Sequence, residues 1–134
     1  MNTLSKKAAL ALSALTFLVI GSLIVFAPQL LFSSNGITLN PSAAMMSEVR
    51  SPGVLILLAC FAASMGLFYR SWETIGLLVS AALLLGYGTG RLVSLALDGM
   101  PPAPLVAAAA VELGLGCWCA AHLLASRANT LSHA

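Results

Sequence analysis

The chain has 134 residues, of which 60% are hydrophobic and 7% charged, and its formal net charge at pH 7 is +2. Soluble domains carry about 25% charged residues, so this composition indicates a protein that lies mainly in lipid. The small net charge, with no basic stripe, excludes a nucleic-acid-binding protein. A membrane-crossing helix needs about 20 apolar residues, and the chain has room for four of them. We expect one all-α domain over residues 1–134, an integral-membrane four-helix antiparallel bundle with spans near residues 8–27, 52–69, 75–97 and 105–124.

The first apolar run follows Lys6 and Lys7. A cleaved signal peptide is the alternative interpretation, but its apolar core would have only about 7–15 residues, fewer than this run contains. The best small-residue cleavage site, after Ala27, would also place Pro28 directly next to it. We therefore predict a retained first span.

The longest connection covers residues 28–51. Asn40 followed by Pro41 is typical of a helix start, with Asn as N-cap and Pro in the first turn. We predict a helix from near Pro41 that carries Glu48 and Arg50. It should kink at Pro52, because proline removes a backbone hydrogen bond, and continue as the second span.

The third span contains Gly86 and Gly90, four residues apart. Small residues at this spacing favour close packing of membrane helices, so we assign both glycines to helix packing. Gly99 is expected to end this span, since glycine is common just past a helix end. The proline-rich link 100–104 is short, so the third and fourth spans should form an antiparallel hairpin.

The basic residues predict the orientation. With the N-terminus inside the cell, Lys6, Lys7, Arg70 and Arg127 all lie on the cytoplasmic side, whereas the opposite orientation leaves only Arg50 and Arg91 there. The positive-inside rule therefore favours a multi-pass protein of the cell inner membrane with both termini in the cytoplasm.

Two charged residues fall inside apolar spans. At a rise of about 1.5 Å per residue, Arg91 lies about 9 Å and Glu112 about 10 Å from the same membrane boundary, on antiparallel neighbours. An arginine at the centre of a span costs about 2.5–3.5 kcal/mol on insertion scales, so a partner is expected. We predict that Glu112 is this partner.

Further polar residues fall near this pair. Ser94 and Asp98 share a helix face with Arg91, and Glu48 and Arg50 precede the second span. We predict a polar cluster in the outer half of the bundle that either binds a ligand or serves only to fix the helix register: Arg91, Glu112, Asp98, Ser94, Glu48 and Arg50. Intramembrane charges favour function, whereas buried ion pairs often add only specificity, so both interpretations stay open. Glu48 and Arg50 also fit solvated loop residues.

No catalytic residue, metal site or cofactor is predicted. The three cysteines, Cys60, Cys117 and Cys119, lack metal-ligand spacing and suit small apolar packing positions. His122 fits an interfacial side chain. No phosphate-binding glycine loop follows a strand, and no Ser/His/Asp set has a credible placement.

Several of these residues together resemble a known bacterial family. Glu48-Val-Arg50, then Gly90-Arg91-Leu-x-Ser94-x-x-x-Asp98-Gly99-x-Pro101, and Glu112 in the last span are similar to a membrane family catalogued as domain of unknown function number 4345. The resemblance covers the first through the fourth span, and the chain departs from it at Ser51-Pro52-Gly53. It implies a four-span inner-membrane protein and supplies no activity. A looser similarity, in span number and size only, links the chain to DoxX-like membrane proteins.

Two classes of function remain. The first is a non-enzymatic membrane protein whose cluster binds a small amphipathic or lipid-like ligand, or docks a partner subunit or a second copy of the chain. Docking would favour an exposed Gly86/Gly90 face. The second is a small proton-coupled transporter or membrane enzyme that uses Glu112, held near Arg91, as a proton-exchanging carboxylate.

Overall fold

The computed structural model describes residues 3–131, with side chains described for residues 3–126. Within this range the chain forms α-helices, one 3₁₀ turn and no strand, which confirms the all-α prediction. The helices are α1 (Thr3–Phe26), α2 (Pro28–Ser34), α3 (Ala43–Phe68), α4 (Glu73–Asp98) and α5 (Ala103–Leu131), and the 3₁₀ turn is Arg70–Trp72. Arg127, used above for the orientation, lies outside the residues whose side chains are described.

Four segments are long and apolar enough to cross a membrane: Thr3–Phe26, Ala43–Phe68, Arg70–Asp98 and Ala103–Ser126. Large apolar side chains such as Leu18, Leu58 and Leu78 are more than half exposed on their outer faces, as expected for contact with lipid. The chain is therefore a multi-pass membrane protein. Successive spans run in opposite directions. We call the end where α1 and α4 finish the Arg91 end, and the opposite end the His122 end.

The connection between the first two spans differs from the prediction. It contains the unpredicted helix α2, which starts with Pro28 in its first turn, where the missing N–H has no helical partner to lose. The predicted N-cap at Asn40 was wrong: Ser42 caps α3, because its Oγ accepts the backbone N–H of Met45 at 3.2 Å. Pro52 lies inside α3 at the position of the predicted kink. The polar segment before Pro52 and the second span are thus one helix.

The ends of α4 follow the sequence rules more closely. Glu73, at its first turn, interacts favourably with the positive end of the helix dipole. Gly99 follows the last helical residue, Asp98, with a φ of 92°, a backbone conformation that side chains with a Cβ rarely adopt. The prediction that Gly99 ends the third span is confirmed.

Two helix pairs pack closely through glycine. Between α1 and α3, a Cβ on Gly53 would lie 2.6 Å from Ile24 Cγ2, and between α4 and α5 a Cβ on Gly88 would lie 2.7 Å from Leu113 Cγ. In each pair, a second contact has its glycine on the other helix. Gly21 of α1 faces Leu57 of α3, and Gly116 of α5 faces Leu85 of α4. The bundle is therefore built from an α1/α3 pair and an α4/α5 pair with locked registers.

The two pairs are joined at the His122 end. Gly76 of α4 meets α3 so closely that a Cβ there would lie 2.9 Å from the carbonyl oxygen of Ala62. In the described part of the chain, side-chain hydrogen bonds between the pairs also lie towards this end: Ser5 with His122, Ser5 with Trp118, Lys6 with Glu73, and Ser13 with Cys119. The Arg91 end is held together within each pair.

The glycine contacts give a direct test of this packing. Gly88→Ala is expected to destabilise the protein by about 1–3 kcal/mol, because the new methyl group overpacks the contact with Leu113. Gly90→Ala is the matched control: its Cβ meets no atom within 4 Å. It should stabilise α4 by about 0.5–1 kcal/mol through the lower entropy of alanine. The stability of both variants can be measured by unfolding them in micelles with increasing dodecyl sulfate, followed by circular dichroism. Equal stability of the two variants would contradict the packing.

Candidate functional site

Arg91 and Glu112 form a two-point ion pair between α4 and α5. Arg91 Nε donates to Glu112 Oε2 at 2.8 Å, and Arg91 Nη2 donates to Glu112 Oε1 at 3.1 Å. Such paired charge-assisted hydrogen bonds fix both distance and orientation. Gly88, one turn before Arg91 on the same face of α4, lets α5 approach closely enough for the contact. The structure thus joins the two residues that the sequence pairs.

A cavity of about 630 Å³ lies beside this ion pair, between the α1/α3 pair and the α4/α5 pair. Small-molecule sites typically have volumes of about 300–1,000 Å³ and mainly apolar walls with a few polar groups. The apolar wall here includes Phe17, Ile20, Ile24, Ile56 and Leu84. Its charged lining residues are Glu48, Arg91 and Glu112, which come from three helices.

Helix α2 and the turn after it complete the cavity wall. Leu31, Phe32, Asn35 and Ile37 all line the cavity. Asn35 Nδ2 donates to the carbonyl of Leu31 at 2.8 Å, which fixes the orientation of the amide. Its Oδ1 is buried and has no hydrogen-bond partner among the described residues. The sequence analysis missed Asn35, because its role depends on how α2 folds over the bundle.

Three members of the predicted polar cluster lie away from the cavity wall. Ser94 Oγ donates to Asp98 Oδ2 at 2.9 Å on the exposed face of α4. Arg50 is also exposed, and its Nε donates to the carbonyl of Val25 at 3.1 Å, where it ties α3 to the end of α1. The cavity therefore brings together Glu48, Arg91 and Glu112, whereas Ser94, Asp98 and Arg50 make contacts of their own.

Gly86 and Gly90 lie on an open face of α4. A Cβ on either residue would meet no atom within 4 Å. Together with Ala82 and Ser94 they line a shallow groove on the surface, and Arg91 lies between this groove and the cavity. Within the described chain it is Gly88, not these two glycines, that receives a neighbouring helix.

A second polar group lies at the His122 end. His122 is only 1% exposed, and its Nε2 shares a hydrogen bond of 3.0 Å with Ser5 Oγ. Trp118 Nε1 donates to the same hydroxyl at 3.1 Å, and nearby Lys6 Nζ lies 2.8 Å from Glu73 Oε1. His122, expected near the membrane interface, is buried, because α1 covers it. The spacing of Trp118 and His122, one helical turn apart, was the available signal.

The cysteines occupy three separate environments. Cys60 Sγ donates to the carbonyl of Ala14 at 3.3 Å, Cys119 Sγ lies 3.6 Å from Ser13 Oγ, and Cys117 is exposed on the outer face of α5. In the part of the chain that the structure describes, no three His, Cys, Asp or Glu side chains are placed to hold a metal ion.

Comparison with known proteins gives one match. A family model described as "Domain of unknown function (DUF4345)" matches residues 5–123, which include most of each span and both members of the ion pair. No curated protein and no solved structure matches the chain. Because the family model covers most of the 134 residues, this chain belongs to the DUF4345 family of domains of unknown function.

Proposed function

We propose that this multi-pass membrane protein is a non-enzymatic binding protein for a small amphipathic, lipid-like ligand. The observation that carries the proposal is the cavity of about 630 Å³ with apolar walls and the Arg91–Glu112 ion pair on its lining. An apolar tail would pack against residues such as Phe17 and Ile56, while a polar end would contact the charged residues. Apolar walls with a few fixed polar groups are typical of sites for such ligands.

We further propose that the protein lies in a bacterial inner membrane with both termini in the cytoplasm. Lys6 and Arg70 lie at the His122 end of the bundle, where α1 and α4 begin, and basic residues concentrate on the cytoplasmic side. In this orientation the Arg91 end and its cavity belong to the outer half of the membrane. A cysteine-accessibility experiment at position 38, in the connection after α2, tests the orientation: labelling of intact cells supports it.

Native mass spectrometry of the protein extracted with its own lipids tests the binding function. We expect a reproducible small molecule on the wild-type protein and its loss, by about tenfold or more, in Arg91→Ala and Glu112→Gln, because each change breaks the ion pair at the cavity. Asp98→Asn is the matched control. It changes a carboxylate at the same end of the bundle whose partner, Ser94, lies outside the cavity.

Two results would contradict this function. One is a wild-type protein that carries no small molecule in any native extract. The other is equal loss of the molecule in Asp98→Asn and Glu112→Gln, which would mean that the association depends on general charge and not on the cavity.

A docking role is the second candidate, and the open Gly86/Gly90 face favours it. Small residues spaced four apart on an exposed helix let another membrane helix approach closely. The occupant would be a transmembrane helix of a partner subunit or of a second copy of the chain. Gly86→Leu would then remove a stoichiometric protein partner in native mass spectrometry and leave the bound small molecule in place.

The proton-exchange alternative receives less support from the geometry. Both carboxylate oxygens of Glu112 accept hydrogen bonds from Arg91, so the contacts observed for this carboxylate are those of an ion pair. A folded Glu112→Gln variant that loses a pH-dependent transport or reaction would favour this alternative, whereas unchanged behaviour would exclude it.

A further inference from the structure

We propose that residues 28–37, which comprise α2 and the turn after it, form a lid under which the ligand enters and leaves the cavity. We call this stretch the lid segment. The inference rests on the proposed binding function and adds the route of access to that same cavity. It follows from the way in which the segment is attached to the bundle.

The lid segment lies at the Arg91 end, between the last residue of α1 and the start of α3. Leu31, Phe32 and Ile37 give it an apolar inner side on the cavity. Leu31 and Phe32 are only partly buried, and Ile37 is 43% exposed. Because the free energy of burial scales with the apolar area removed from water or lipid contact, displacing this short segment costs less than displacing one of the long helices.

The hydrogen bonds of the lid segment stay almost entirely within it. Asn35 Nδ2 and Ser34 Oγ both donate to the carbonyl of Leu31, at 2.8 and 2.7 Å. Among the described residues, its one hydrogen bond to another helix runs from Gln29 Nε2 to Met46 Sδ at 3.7 Å, and a thioether sulfur is a weak acceptor. The segment can therefore move as a unit while its own hydrogen bonds stay intact.

Both ends of the lid segment have the backbone geometry of a hinge. Ala27 separates it from α1 with non-helical φ and ψ angles of −138° and 52°. Near its other end, Gly36 has a φ of 74°, which glycine adopts without strain, and residues 37–42 form no regular structure. Moving segments commonly turn about such loop and helix-end positions. The base of the first hinge is fixed, because Arg50 Nε donates to the carbonyl of Val25 at the end of α1.

Asn35 favours opening of the lid segment. In the closed position its Oδ1 is buried and has no hydrogen-bond partner among the described residues. A buried acceptor without a donor destabilises the state that contains it, and opening would let water donate to this oxygen. The closed position is therefore held less firmly than its apolar contacts alone would hold it.

A reversible tether between α2 and α3 tests the lid. Gln29→Cys and Met46→Cys place thiols at the contact between these helices, in a full-length chain that also carries Cys60→Ala, Cys117→Ala and Cys119→Ala. A bis-methanethiosulfonate with a short spacer joins the two thiols, and a reductant releases them. The probes are dodecylamine and dodecanoate, which share one tail and differ in the sign of their charge.

Native mass spectrometry in neutral detergent follows the exchange of each bound probe for its deuterated form. We expect the tether to slow this exchange by about tenfold or more, because the ligand must wait for a lid that cannot open. The reductant should restore the original rate. The equilibrium affinity should change by less than about threefold, since the closed cavity is the same with and without the tether.

The same reagent on Lys6→Cys with Glu73→Cys is the matched control. These side chains form the 2.8 Å ion pair at the His122 end, so this tether joins α1 to α4 without touching the lid segment, and exchange should keep its original rate. Asn35→Leu gives a second measurement that needs no tether. It removes the unpartnered acceptor, stabilises the closed position and should slow exchange by about threefold or more.

The outcomes separate the lid from the binding function. If neither probe binds the untethered protein, the binding function is contradicted, and the lid with it. If a probe binds but exchanges equally fast with and without the tether between α2 and α3, the ligand passes between the long helices and the lid is wrong. Equal slowing by the two tethers, or exchange in Asn35→Leu as fast as in the wild type, would also contradict the lid.

Discussion

Arg91→Ala is expected to lower the free energy of unfolding by about 2–4 kcal/mol, because it leaves the Glu112 carboxylate in an apolar span without its partner. Fully buried pairs lose about 3–5 kcal/mol when one partner is removed. The expected loss is smaller here, since the Arg91 side chain is 31% exposed and that of Glu112 is 15% exposed. Unfolding in micelles with increasing dodecyl sulfate measures the change.

The double variant Arg91→Met, Glu112→Met is the control for this result. It removes both charges and keeps long apolar side chains, so its stability should return to about that of the wild type or exceed it. If the pair only fixes the helix register, ligand binding should survive this replacement, whereas a binding role requires its loss. An Arg91→Ala protein as stable as the wild type would contradict the register interpretation.

Filling the cavity should abolish binding without touching the ion pair. Ala108 lines the cavity on α5, and Ala108→Phe would place an aromatic ring inside it. We expect the affinity for dodecylamine to fall by about a hundredfold or more, because the ring occupies the volume that the tail needs. Stability should stay near the wild-type value, since the added ring packs against existing apolar walls.

Ala107→Phe is the matched control for the filled cavity. Ala107 is the preceding residue of α5 and is exposed on its outer face, so the same ring would lie in lipid. Its affinity for dodecylamine should match that of the wild type. Equal binding by the two variants would show that the probe lies elsewhere on the protein.

The ion pair was predictable because it depends only on helix rise and chain direction. Arg91 and Glu112 lie at similar distances from a short link, so any antiparallel hairpin places them at one level. To identify which glycine of α4 packs against α5, one further step was needed. Gly88 lies three residues before Arg91 and shares its face, whereas Gly90 is turned by about 100°. The small-residue pattern alone selects Gly86 and Gly90, which lie on the open face.

The remaining features depend on contacts between distant segments. Ser5 and His122 are separated by 117 residues, and nothing in either local sequence indicates their hydrogen bond. Asn40 and Ser42 are both good N-cap residues, and the path of the chain from α2 decides that Ser42 is used. The cavity arises from the separation of two helix pairs and from the position of α2, which hydrophobic patterns do not encode.

The joining of the two helix pairs at the His122 end has a mechanical consequence. Because interlocked glycine contacts oppose sliding within each pair, we expect any relative motion of the two pairs to be a hinge that spreads the Arg91 end. Such a motion widens the protein in one leaflet of the bilayer and leaves its width in the other leaflet unchanged. If the cavity binds the proposed ligand, its occupancy should therefore respond to lateral pressure and membrane curvature, and binding would be coupled to the packing of the surrounding lipid.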